Sequence, residues 1–179
     1  MKKPNHDKRI VIAYVIDFLA SQEGLTGGTE RQLIELLNHI DQSRFRPILF
    51  CLQKFVDTPY WDVIRCEKHL LHVYSLASLK GIRAFFSFVR LLRQHSVDIV
   101  QTYFHDSTLF GILAAKLSGV RKAISCRRDL GFWYEDRLLN NLFLVNKLTD
   151  RILVNCMAVK DAVVLHEHDG RSGLVRLHD

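Results

Sequence analysis

The sequence predicts an α/β fold in which one parallel β-sheet carries helices on both faces. Short runs rich in β-branched residues alternate with longer segments whose apolar residues recur at helical spacing, the pattern of consecutive βαβ units. The 179 residues, 48% of them hydrophobic, are enough to fill one core. No internal repeat, low-complexity tract or Pro/Gly-rich linker divides them, so residues 1–179 are expected to form a single domain.

The elements follow in order. A first strand spans 10–16, and the stripe Leu33, Leu36, Leu37 and Ile40 marks the first helix. Thr29 and Gln32 fit a capping box at its start. Strands at 47–52 and 70–74 come next, followed by a helix over 80–95 with the stripe Ile82, Phe85, Phe86, Val89 and Leu92. The fourth strand, 98–103, leads into a helix striped by Leu109, Ile112, Leu113 and Leu117, which Gly119 closes as a C-cap glycine. A fifth strand at 122–126, a helix over 137–148, a sixth strand at 151–155 and a helix over 158–166 complete the alternation. One more strand begins within 173–179.

The formal charge of +6 is scattered, with one short cluster at Lys2, Lys3, Lys8 and Arg9. That argues against a nucleic-acid partner and fits a surface drawn to phosphates or anionic headgroups. Cys51, Cys66, Cys126 and Cys156 form no C-x-x-C pair and mostly sit in strand-like runs, as buried thiols in a reducing compartment do. The apolar run behind the basic N-terminus has strand character and lacks a cleavage site, so no signal peptide is read there. No run reaches the roughly 20 apolar residues of a membrane span. A cytoplasmic protein is expected. The helix over 80–95 sets Phe85, Phe86 and Phe88 beside Arg83, Arg90 and Arg93, and reads either as a peripheral membrane contact or as core packing bordered by snorkelling arginines.

Ligands of an open parallel sheet bind beyond the carboxyl ends of its strands. After the first strand, Gly24-Leu25-Thr26-Gly27-Gly28-Thr29-Glu30-Arg31 runs straight into a helix. Glycines let backbone amides approach an anion at a helix's positive end; the stretch reads as a diphosphate-facing loop or as an ordinary tight turn. Neither the dinucleotide fingerprint nor the P-loop pattern is present, which disfavours a nicotinamide dehydrogenase and an NTPase. His105 follows the fourth strand, where its imidazole could bond a sugar hydroxyl or an incoming nucleophile, or simply cap or pack. Asp106 beside it fits a helix cap. After the fifth strand, Arg127, Arg128 and Asp129 form the densest polar cluster, suited to phosphate and carbohydrate or to a mutual salt bridge. His166 and His168 make only a weak H-x-H, so no metal site is expected.

Five segments in register then resemble the N-terminal domain of family 4 glycosyltransferases: residues 27–31, 97–100, 113–120, 124–131 and 149–159. The resemblance implies a Rossmann-like parallel sheet with helices on both faces, the N-terminal half of a GT-B fold. It implies a hexosyltransferase-like enzyme that moves a sugar from a nucleotide-sugar donor to a glycan or lipid-linked acceptor, with retention and without a metal or other cofactor. By the same resemblance Gly27, Gly28 and Thr29 lie against the donor phosphates, His105 is catalytic, and Glu30, Arg127, Arg128 and Asp129 border the acceptor. The family's C-terminal donor-binding domain has no counterpart in these residues, so the chain alone is expected to be inactive. The alternative is a non-catalytic acceptor- or membrane-binding subunit that pairs with a separate donor-binding chain.

Overall fold

A computed structural model describes residues 9–131, 135–167 and 175–177. Seven strands, β1 (Ile10–Ile16), β2 (Phe45–Cys51), β3 (Glu67–Leu70), β4 (Ile99–Tyr103), β5 (Lys122–Arg127), β6 (Arg151–Val154) and β7 (Val175–Leu177), form one sheet. Their order is β3-β2-β1-β4-β5-β6-β7, and every pairing is parallel. Six helices connect them: α1 (Gly28–His39), α2 (Pro59–Val63), α3 (Leu79–Gln94), α4 (His105–Ser118), α5 (Asp136–Asn146) and α6 (Met157–His166).

Alternation along β1 divides the core. Val11, Ala13 and Val15 join Phe50, Phe88 and Ile112 under α3 and α4, while Ile12, Tyr14 and Ile16 meet Leu33, Ile34 and Leu37 of α1 on the other face. Such two-sided burial is why the central strands read as continuous apolar runs. α4 lies unusually close to the sheet: a Cβ added to Gly111 would stand 2.6 Å from Thr102 Cγ2. Two carboxylates lock the amino ends of the strands. Asp98 Oδ2 accepts from Val11 N at 2.9 Å, and Asp150 Oδ2 accepts from Ala123 N at 2.9 Å.

Several expectations need correction. The strand expected at 70–74 is displaced to Glu67–Leu70, because His72 takes a left-handed φ of 55° and ends the extended run. Leu71 and Val73 still donate to the β2 side, to Cys51 O and Leu52 O. The capping box at Thr29 and Gln32 is absent; Gly27 is the N-cap and the helix already begins at Gly28. α2 was not expected, although Thr58-Pro59 is a recognisable helix start. Cys156 is exposed at the N-cap of α6, unlike the buried Cys51 and Cys126. In α3 the core takes Phe88, Val89 and Leu92, whereas Ile82 and Phe86 are exposed.

Candidate functional site

Because all strands are parallel, the residues that follow them share one rim, and the predicted positions after β1, β4 and β5 all lie along it. The β1–α1 loop closes on itself: Gly24 N donates to Ser21 O at 3.0 Å, Ser21 N to Leu25 O at 2.8 Å, and Thr26 Oγ1 to Leu19 O at 3.1 Å. Gly27 and Gly28 are both exposed at the start of α1. A Cβ on Gly28 would meet nothing within 4 Å, whereas one on Gly27 would stand 2.8 Å from Glu30 Oε2. Glu30 is 5% exposed and folds back over the helix start. Desolvation raises its carboxyl above the ordinary range, partly offset by the amides of Glu30 and Gly27. Glu30 therefore serves as the returning half of a cap, and the amides of Gly28 and Thr29, in the first turn, have no acceptor within the helix.

At the end of β4 the chain turns through Phe104, whose φ of 69° is unusual for a side chain of that size. Its ring stacks on Phe18 at 5.7 Å, which helps hold the turn. His105 opens α4 and its Nδ1 lies 3.0 Å from Asp106 Oδ1. Sequence reasoning missed Asp17. This residue follows β1 and its Oδ1 accepts from Ser107 N at 2.6 Å, so a carboxylate just past one strand fixes the helix that carries His105. Enclosure of that carboxyl pushes it up to about 7, the neighbouring Asp106 adding to the rise and the Ser107 bonds opposing it. Its signal in the sequence was only its place, directly after the first strand.

This rise has a pH consequence. With a folded value near 7 against an ordinary 3.8, the native state holds the extra proton across that window, so stability falls as pH rises from about 4 to 7 and then levels. Asp17→Asn keeps the acceptor oxygen and removes the titration. Chemical denaturation should find the variant about as stable as the parent at pH 4 and more stable at pH 8, by at most about 4 kcal/mol. A parent whose stability is flat between those pH values would refute the assignment.

The cluster after β5 divides. Arg127 is buried: its Nε and Nη2 donate to Glu167 Oε1 and Oε2 at 2.7 and 2.8 Å, and Nη1 bonds Ser125 Oγ. Asn146 joins them, its Nδ2 donating to Glu167 Oε2 at 3.0 Å. This guanidinium braces the fold. Arg128 instead lies half-buried over the Tyr103 ring at 5.7 Å, and Asp129 Oδ1 accepts from Gly131 N at 2.7 Å to shape the turn. Between α1 and the sheet, a mixed polar and apolar cavity of about 480 Å³ is lined by Tyr14, Gln32, Gln101, Tyr103, Arg128 and Asn155, among others. It joins the first turns of α1 to the rim of β4–β6. The structure thus brings Arg128 to a cavity beside the glycine helix, sets His105 on the same rim, and commits Arg127 and Glu30 to internal contacts.

The model of the family described as Glycosyltransferase Family 4 matches residues 26–171. No curated protein matches the chain. Among solved structures, Anabaena Alr3699/HepE in complex with UDP and glucose is similar with a TM-score of 0.68 and 17% identity, covering 94% of this chain and 44% of that one. A glycosyltransferase from Rickettsia africae has a TM-score of 0.69 and 16% identity over 94% of this chain and 42% of its own. The UDP-GlcNAc 2-epimerase of Methanocaldococcus jannaschii has a TM-score of 0.59 and 11% identity over 94% of this chain and 45% of its own. The chain spans less than half the length of these structures, and at such identities the likeness is one of fold.

Proposed function

Since the chain belongs to glycosyltransferase family 4, we propose that it is the acceptor-side half of a retaining enzyme that moves a sugar from a nucleotide diphosphate to a glycan or lipid-linked acceptor. Its architecture is the Rossmann-like N-terminal half of a GT-B fold. One observation carries the reading: exposed Gly27 and Gly28 at the positive end of α1, on the rim of a wholly parallel sheet. The first-turn amides of Gly28 and Thr29 suit the phosphates of a donor. Arg128 and the adjoining cavity suit the acceptor, and His105 suits a hydroxyl at the reacting centre. Departure of the nucleoside diphosphate is the electrostatic burden, and amides aimed at it lower the barrier without a metal.

Epimerases share this half-fold, so the assay must separate the two chemistries. Incubating the chain with a donor-binding half, whether fused or supplied separately, and a labelled nucleotide-sugar should give labelled acceptor, whereas the chain alone should give none. Free epimerised nucleotide-sugar without acceptor labelling, or transfer by the chain alone, would defeat the proposal. Activity restored by a separately encoded donor-binding chain would favour the two-subunit alternative.

The acceptor side also suits a membrane surface. An apolar groove of about 470 Å³ runs between α3, α4 and α5, lined by residues such as Ile82, Phe85, Leu113 and Leu144. Leu79 and Phe86 stand 76% and 59% exposed beside it, and α3 carries Lys80, Arg83, Arg90 and Arg93 with no acidic residue. No described helix is long and apolar enough to cross a membrane, so contact would be peripheral, on the cytoplasmic leaflet. Anionic vesicles should retain the chain in co-sedimentation at low salt, and Leu79→Ser/Phe86→Ser should cut the bound fraction severalfold. Equal retention of both proteins, or on neutral vesicles, would count against it.

A further inference from the structure

At the amino end of the edge strand β3, opposite the rim, three side chains with metal-binding atoms converge. Glu67 and His69 stand two residues apart on β3 and share a face. His95 caps the C-terminus of α3. Glu67 Oε1 lies 3.0 Å from His69 Nε2 and 3.5 Å from His95 Nε2, and one donor atom from each of the three lies within 4.8 Å of the others. Bonds of about 2.0–2.1 Å at tetrahedral angles set donor atoms roughly 3.3 Å apart. The carboxylate-to-imidazole spacings therefore match a zinc-type shell before any ion enters. Among the described residues no other group of three such side chains meets this spacing.

We propose that Glu67, His69 and His95 bind one divalent transition-metal ion of the zinc class, with water completing the shell. Two imidazoles and one carboxylate favour zinc, copper or nickel over calcium or magnesium, which take oxygen ligands. The surroundings are ordered for it. The Phe50 ring stacks on His69 at 5.0 Å and limits its rotation. Arg46 Nη2 donates to Glu67 Oε2 at 2.7 Å, which orients the carboxylate and leaves Oε1 toward the imidazoles. Arg46 Nη2 also lies 3.3 Å from His95 Nδ1. Coordination through Nε2 puts the remaining imidazole proton on Nδ1, so Arg46 gives up that nitrogen and keeps the carboxylate. The ion would pin the end of α3 to the border of the sheet, a structural task remote from the transfer site.

The test is calorimetric titration of the full chain with Zn²⁺ at neutral pH, repeated with Co²⁺ for its visible spectrum. Cys66→Ser/Cys156→Ser serves as the background, because the half-buried and the exposed thiol are alternative ligands. One ion per chain is expected, with affinity about tenfold or more weaker in His95→Gln and in Glu67→Gln. Thermal melts with and without Zn²⁺ show whether each variant folds. No binding to the folded background protein, or binding that His95→Gln leaves unchanged, would overturn the site.

Discussion

Replacing Gly28 by glutamate should lower the proposed sugar transfer, assayed with the chain joined to a donor-binding half, about a hundred- to a thousandfold while the fold stays intact. The two effects separate because of where Gly28 lies. A Cβ there meets nothing within 4 Å, and a carboxylate in the first turn of a helix favours the helix itself. The same carboxylate stands among the amides proposed to receive the donor diphosphate, adding like charge where the leaving group gains it. Gly28→Ala, which adds bulk without charge, should lose far less. The measurement is kcat/KM beside a melting curve of each variant. Full activity in Gly28→Glu would remove the phosphates from this helix end, and a parallel loss of melting temperature would make the glycine merely structural.

Arg127→Met is expected to give the largest loss of stability. It removes the two Arg127 hydrogen bonds from the Glu167 carboxylate, which is fully buried and keeps the Asn146 amide, while Arg127 itself is only 4% exposed. Breaking one side of such a pair costs about 3–5 kcal/mol, because a buried charge loses its counter-ion. For a chain of this size that lowers Tm by roughly 10 °C. Exchanging the pair for apolar residues, as Arg127→Met/Glu167→Leu, should recover most of the loss. Differential scanning calorimetry of the parent, single and double variants decides it. A single variant within a degree or two of the parent would show that the pair does not brace the fold.

These residues also show where reading the sequence succeeds. β1, β4, β5 and β6 were legible because strands buried on both faces are apolar throughout, and parallel order placed the positions after them on one rim. Gly27, Gly28, His105 and Arg128 were placed along that rim by the same reasoning. Glu67-Lys68-His69-Leu70 was missed because an edge strand can be polar and so lacks that signature. The roles of Arg127 and Glu30 were hidden for another reason. Glu167 stands forty residues from Arg127, and nothing local says which guanidinium of an Arg-Arg pair turns inward. Asp98 and Asp150, carried within the recurring family segments, fasten strand ends, so a recurring motif need not touch a substrate.

The near contact of Gly111 with Thr102 governs how this half can move. With no side chain on Gly111, the backbone of α4 rests directly on the Thr102 side chain of β4, and sliding would drive that methyl into the helix. His105 at the head of that helix therefore travels with the sheet as a stiff body. Under the proposed function, any closing around substrates would fall to the loop before α1, while the rim that carries His105 acts as the anvil.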